Sequence, residues 1–232
     1  MQVVVPLAGP DFIQSDDTLK PLTDLNGTPL LKAVLESRAW YAEIPFSNYT
    51  FIFRDDVASR QFVDTYLENW FPGARHAFLS AYTQGAALTA AVGVSMCAEK
   101  APGPLILDLA DILYDWPADL VKLFGDEPNT GALALYFESQ SEAYSYIKTD
   151  AQGHFVAAAE KHVISSNASA GTYVFSDAAC YLAAVSHSLR NAGSQTHNGL
   201  HYVCPLFNGV HAQGLDVKLH QVSNVFDVKI HA

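Results

Sequence analysis

Lys20 is the basic residue that closes a loop-like segment, residues 8–22, holding one glycine (Gly9) and three aspartates (Asp11, Asp16 and Asp17). Its ammonium is a compact point charge suited to phosphate oxygens, and a lysine in such a loop is equally at home in solvent. Asp108 and Asp111 follow each other closely at the end of an apolar run. A carboxylate there can hold Mg²⁺ whose other positions are filled by water and phosphate, or it can simply cap a helix or begin a turn. Glu160 and Lys161 close a short apolar segment and read either as a ligand contact or as an exposed ion pair. His197 and His201 lie four apart with Cys204 three further on, a spacing open to zinc. Gly199 between the histidines, Pro205 directly after the cysteine and the absence of a fourth ligand speak against it. Neither a Gly-x-Ser-x-Gly elbow nor a P-loop signature occurs.

These groups need a frame, and the hydrophobic pattern supplies one. Residues 2–7, 49–54, 74–80 and 104–114 are short runs rich in β-branched and aromatic residues; residues 30–40, 57–71 and 85–100 carry apolar residues at helical spacing. Pro29 opens the first helix, and Pro72-Gly73 stops the second. Strands alternating with helices predict a parallel sheet covered on both faces. After residue 130 the segments 131–139, 143–150, 154–160 and 171–176 are short, β-rich and separated by turns. They predict an antiparallel or mixed extension, followed by a helix over 178–189, a polar loop over 190–198 and a last strand over 215–222. In open parallel sheets ligands bind outside the carboxyl ends of the strands, which selects the loops carrying Lys20, Gln84-Gly85 and Asp108–Asp111.

Composition narrows the classes. The chain has 232 residues, half of them hydrophobic and 16% charged, with a formal net charge of −11. That supports one sizeable core and leaves room for a buried subunit contact without specifying an oligomeric state. With 24 acidic against 13 basic residues and no basic run, a nucleic-acid partner is disfavoured. No apolar stretch reaches the roughly 20 residues of a membrane span, and the N-terminal residues lack the basic start of a signal peptide. Three well-separated cysteines predict reduced thiols and a cytoplasmic setting.

The order of the short motifs resembles the nucleoside-triphosphate transferase family, the sugar-phosphate nucleotidyltransferases with a GT-A-like fold. Val-Val-Val-Pro-Leu-Ala-Gly (3–9), Leu-Lys-Pro-Leu (19–22) and Leu-Asn-Gly-Thr-Pro-Leu-Leu (25–31) are similar to its first strand, its lysine segment and the start of its first helix. Thr-Gln-Gly-Ala-Ala-Leu-Thr-Ala (83–90) resembles the segment that faces the nucleobase, and Leu-Ala-Asp (109–111) the strand end with the metal-binding aspartate. Tyr-Ser-Tyr (144–146), Glu-Lys (160–161), Gly-Thr-Tyr-Val-Phe (171–175) and Tyr-Val-Cys-Pro-Leu-Phe-Asn (202–208) match later family segments in order.

The resemblance covers nearly the whole chain and implies a single Rossmann-like three-layer α/β/α domain with a mixed, mainly parallel sheet. Residues 1–130 would form the nucleotide-binding half and 131–232 the acceptor half. It implies nucleotide contacts from Leu7, Ala8, Gly9, Lys20, Gln84 and Gly85, and sugar contacts from Tyr146, Glu160, Lys161 and Gly171. Mg²⁺ would sit on Asp111 and Asp227, with Lys20 and Lys161 as the catalytic lysines. The implied partners are a nucleoside triphosphate or nucleotide sugar and a phosphorylated sugar or alcohol, and the implied setting is surface-polysaccharide synthesis. Two departures stand out. The first loop has no arginine, has Pro10 where a backbone donor is expected, and is acidic; and Val228-Lys229 replaces the small pair expected after the late aspartate. They keep open a nucleotide-sugar-binding protein without transferase chemistry. A glycosyltransferase of the same sheet type is a further alternative, although Asp108 and Asp111 are spaced one residue too widely for an Asp-x-Asp motif.

Overall fold

The computed structural model describes residues 1–97, 103–117, 119–126 and 129–227. Its strands are β1 (Gln2–Pro6), β2 (Asp24–Leu25), β3 (Thr28–Pro29), β4 (Tyr49–Arg54), β5 (Arg75–Leu79), β6 (Leu105–Asp108) and β7 (Ile112–Asp115) in the first half. In the second half they are β8 (Thr130–Glu138), β9 (Ser145–Thr149), β10 (Phe155–Glu160), β11 (Asn167–Phe175), β12 (Asp216–Gln221) and β13 (Ser223–Asp227). The helices are α1 (Leu30–Glu36), α2 (Val57–Phe62), α3 (Glu68–Trp70), α4 (Ala86–Ser95), α5 (Leu120–Asp126), α6 (Ala178–Arg190), α7 (Ala192–Gln195) and α8 (Leu206–His211).

The main sheet runs β5-β4-β1-β6-β11-β8-β12, and the β9–β10 hairpin branches from the start of β11. β5, β4, β1 and β6 are parallel neighbours, β11 runs against β6 and β8, and β12 is parallel to β8. Within that row β11 alone is reversed. The fold class is the expected one, a mainly parallel mixed sheet between helical layers, and the pairing of β6 with β11 carries the sheet across residue 130.

β1 explains the layering. Val3, Val4 and Val5 are fully buried, yet Val3 and Val5 belong to one core and Val4 to the other. A strand's side chains alternate between faces, so a run of valines is satisfied only where both faces are covered. One face packs on Leu30, Leu31, Val34 and Leu35 of α1 and Phe62 of α2. The other packs on α4, α6 and α8 through Ala90, Tyr181 and Phe207. Gly93 lets α4 lie against β1, since a Cβ there would be 2.6 Å from a Val4 methyl.

The short helix α7 forms within the span expected as a polar loop over 190–198, and three expected elements are shortened or broken. The helix expected over 30–40 ends at Glu36: the Ser37 hydroxyl donates to the Val34 carbonyl at 2.7 Å, and the turn that follows buries Arg38 and Trp40. The run expected as one strand over 104–114 breaks into β6 and β7, which join different sheets, with Ala110 left-handed (φ 53°) at the break. The helix expected over 57–71 is interrupted by a π-helical turn at Val63–Leu67. Among the described residues no helix is long and apolar enough to cross a membrane.

Candidate functional site

A cleft of about 800 Å³ opens over the carboxyl ends of β1, β5 and β6 and is closed on its other side by residues from β9–β11 and the segment before α8. Leu7, Ala8, Gly9, Lys20, Gly85, Asp111, Glu160, Lys161, Gly171 and Asp227 all line it. These residues come from both halves of the chain, and the fold brings them to one place.

The break after β6 decides which aspartate does what. Asp108 is fully buried and clamped by Arg38, whose Nε and Nη2 donate to its two oxygens at 2.6 and 3.1 Å. Arg38 Nη2 also donates to the Ile112 carbonyl at 2.9 Å, and the Ala110 N–H donates to Asp108 at 2.9 Å. The guanidinium thus staples the chain on both sides of the break. Its planar fork makes three contacts that an ammonium could not reproduce. Burial pulls the Arg38 pKa down more than any single partner raises it. The Asp108 charge and hydrogen bonds together with Tyr114 and Asp111 outweigh it, and the net direction is upward, so the guanidinium stays charged. Asp108 is therefore structural, and Asp111, held just beyond the staple, is the carboxylate given to the cleft.

Lys20 meets Asp111 there, with Nζ 3.7 Å from its carboxylate. A closer contact comes from the first loop: Lys20 Nζ to Asp11 at 2.6 Å. The two ends of that loop are drawn together by a bridge between Ile13 and Leu19, and Phe12 anchors it edge-on to Phe53 and Phe62. Asp227 arrives from the far end of the chain because β13 pairs antiparallel with β7, which sets Asp227 opposite Ile112. The Tyr144 phenol is hydrogen-bonded to Asp227; burial first, and then that bond, hold the phenol above its ordinary pKa and keep it the donor. On the wall formed by the second half of the chain, Glu160 accepts from the Ser145 hydroxyl. Lys161 turns out of β10 with a left-handed backbone (φ 49°), its N–H on the Tyr144 carbonyl.

Gly171 interrupts the pairing of β11 with β8 at φ 77°, and a Cβ there would stand 3.2 Å from an Asp111 oxygen. Gly85, at φ 110°, has no room for a side chain, because a Cβ would lie 2.3 Å from the His201 carbonyl. Two expected site residues do not reach the cleft. Tyr146 is fully buried and donates to the Ser141 carbonyl; Tyr144, just before β9, takes the cleft position instead. Gln84 is exposed outside the cleft lining and contributes only its carbonyl, to His201. The weighed zinc triad does not assemble: His201 is buried with Nδ1 on Ser188, and Cys204 is buried in the α6–α8 core. Among the described residues no group of three or more His, Cys, Asp or Glu is placed to share a metal ion. Asp111 and Asp227 are both buried and both line the cleft. The Val228-Lys229 departure lies outside the described residues.

Tyr144 and Asp11 are the site residues that sequence reasoning missed. The tyrosine was one choice in a Tyr-Ser-Tyr run, and the aspartate was one of three acids in a loop. Of those three, Asp11 alone lines the cleft.

Comparison with solved structures finds a nucleoside-diphosphate-sugar pyrophosphorylase from Vibrio cholerae RC9 with a TM-score of 0.81 and 21% identity, covering 97% of this chain and 95% of that one. The chain has the fold of a sugar-nucleotide pyrophosphorylase. A Bacillus anthracis protein assigned as a glucose-1-phosphate thymidylyltransferase, solved with sucrose, aligns with a TM-score of 0.69 and 14% identity, over 98% of this chain and 89% of its own. At these identities the likeness is one of fold. No protein-family model and no curated protein matches the chain.

Proposed function

We propose that the cleft transfers a nucleoside monophosphate from a nucleoside triphosphate to the phosphate of a phosphorylated sugar or similar alcohol. A phosphate oxygen of the acceptor attacks the α-phosphorus, the bond from that phosphorus to the β-phosphate oxygen breaks, and pyrophosphate leaves. The observation that carries this reading is the convergence of Lys20 and Lys161, from the two halves of the chain, on one cleft that also holds Asp111.

Both reactants are anions, so the protein must offset charge and hold them in line. Lys20, beside the first loop, faces the phosphates of the donor. Lys161 faces the attacking phosphate, and Glu160, ordered by Ser145, orients acceptor hydroxyls. Gly85, which lines the cleft at the start of α4, meets the base. Asp111 and Asp227 would hold Mg²⁺, which when bound polarises the α-phosphate and neutralises charge on the leaving group. Tyr144 fixes the orientation of the Asp227 carboxylate, and Gly171 keeps clear the space beside Asp111. Donors placed in this way contribute about 3 kcal/mol each to the transition state. Residues 1–130 serve the nucleotide and the remainder the acceptor. Supply of activated sugars for surface polysaccharide from the cytoplasm is the setting that fits.

The test is pyrophosphate release from each nucleoside triphosphate with Mg²⁺ and a panel of sugar phosphates. Release should fall at least a hundredfold, a factor of the order expected for such donors, in Lys20→Ala and in Asp111→Ala. The Asp11 carboxylate on Lys20 favours a second reading, a protein that binds a nucleotide sugar without transfer. Binding of a nucleotide sugar with no pyrophosphate released from any triphosphate would select it.

A further inference from the structure

The cleft lining carries four carboxylates, Asp11, Asp111, Glu160 and Asp227, against two ammonium groups, Lys20 and Lys161. Asp111, Glu160 and Asp227 have places in the chemistry above. Asp11 has none, yet it makes the shortest contact of Lys20, at 2.6 Å. Several features hold it there. It sits in the short turn Pro10–Phe12, whose Phe12 is buried against Phe53 and Phe62 and cannot follow a swing of the loop without leaving the core. Lys20 is fixed on the other side by the turn Lys20–Leu22, with Pro21 buried. Gly9 completes the arrangement. Its backbone is ordinary (φ −72°, ψ 159°), so no dihedral demands glycine, but a Cβ would lie 2.6 Å from Asp11 Oδ1. The absence of a side chain at position 9 is what lets the Asp11 carboxylate fold back over the cleft. The other acids of the loop are differently engaged, Asp16 accepting from the Thr18 N–H and hydroxyl.

We propose that Asp11 is a resident anion that competes with ligand phosphate for Lys20 and so sets the affinity a ligand must reach to occupy the donor half of the cleft. The proposal rests on the reading of Lys20 as a phosphate contact. A ligand whose phosphate meets Lys20 must first displace a carboxylate that costs no translational entropy to bring there. Every anion that uses Lys20 is weakened by the same factor. A polyanion with further contacts along the cleft tolerates that loss, whereas a lone phosphate does not stay. The acidic first loop thereby keeps single phosphates, including that of the acceptor, from settling in the donor half. It does so without an arginine and without closing the cleft, because Asp11 is 59% exposed at the side chain and can turn out to solvent.

The experiment is calorimetric titration of inorganic pyrophosphate and of orthophosphate into the full chain, without divalent cations and at low ionic strength. Asp11→Asn should tighten both anions by about fivefold, the factor expected for removing one partly exposed ion pair. Gly9→Ala, which pushes the carboxylate off Lys20 while leaving the loop's charge unchanged, should shift both in the same direction by less. Asp11→Glu should remain near wild type. Equal or weaker binding by Asp11→Asn, or no binding by either protein at millimolar anion, overturns the proposal. Pyrophosphate release is not read here, so the two readings can fail separately. Affinity gained by Asp11→Asn beside a wild-type protein that releases no pyrophosphate in the assay above leaves this inference standing and sinks the transferase. Normal transfer with unchanged anion affinity does the reverse.

Discussion

Asp108 and Asp111 are three residues apart and meet opposite fates. Asp108 lies beneath the sheet's end, fully buried, gripped by an arginine whose side chain is 1% exposed. Asp111 lies above it in the cleft, 3.7 Å from a lysine that is shared with the more exposed Asp11. The difference is in exchangeability. A buried guanidinium–carboxylate pair has nowhere to go, since separating it would leave a charge without water or partner. An ammonium flanked by two carboxylates at the mouth of a cleft can trade one anion for another at small cost. The first arrangement fixes a turn; the second leaves a cation ready for a ligand.

The sharpest way to break this comparison is to remove the buried cation. Arg38→Ala should lower stability by about 3–5 kcal/mol, because it strands Asp108 and frees the Ile112 carbonyl. The double change Arg38→Met with Asp108→Leu should recover most of that loss, since neither charge then remains to be desolvated. Lys20→Ala, by contrast, should move stability by less than about 1 kcal/mol. Denaturant unfolding of the four proteins reads all of this. If Arg38→Ala unfolds at the wild-type midpoint, the two pairs do not differ as argued.

A weaker perturbation reaches the buried side alone. Burial chiefly, with Asp108 contributing in the same direction, holds the Tyr49 and Tyr114 phenols above their ordinary value of 10.0, and burial alone does so for Tyr181. In the unfolded chain these groups lose their protons near pH 10 and in the fold they keep them. The folded state therefore binds more protons above that pH, and stability falls as pH rises. The contribution is complete below pH 10 and disappears through the raised values. The buried Cys180 and Cys204 thiols, also pushed up by burial, act in the same direction from about pH 8.5. Melting temperature should therefore begin to fall there and fall more steeply above about pH 10, and Tyr114→Phe should make that steeper part shallower.

The sequence pattern made the α/β layering legible because Val3, Val4 and Val5 cannot all be buried in a sheet covered on one face only. It placed the loops at the strand ends for the same reason, and most expected contacts from those loops do line the cleft. What escaped was whatever depended on a local reversal. Ala110 in the left-handed region breaks the strand between two aspartates that an unbroken strand would have set on opposite faces, and it is the break that assigns their roles. Tyr144 and Tyr146 differ only in that one precedes β9 and the other lies within it, opposite Ala159 and Ala168. β13 went unread because Ser223 and Asn224 are exposed and its apolar residues do not alternate cleanly, although it carries Asp227 to the cleft. α8 is six residues long, below the length at which helical spacing declares itself.

Gly171 offers the smallest and most local test of how firmly the cleft aspartate is held. Alanine at φ 77° costs about 1–2 kcal/mol of backbone energy. Its Cβ, 3.2 Å from the Asp111 oxygen, would also require the carboxylate to yield by a few tenths of an ångström. The stability loss should thus be modest, near the backbone value. Pyrophosphate release should fall several-fold more than that loss explains, because only a well-placed charge stabilises the transition state. Measuring both at a temperature where the variant is fully folded separates the two effects. Unimpaired release would mean that Asp111 relaxes freely, and the contrast with the clamped Asp108 would then be one of burial alone rather than of placed chemistry against placed structure.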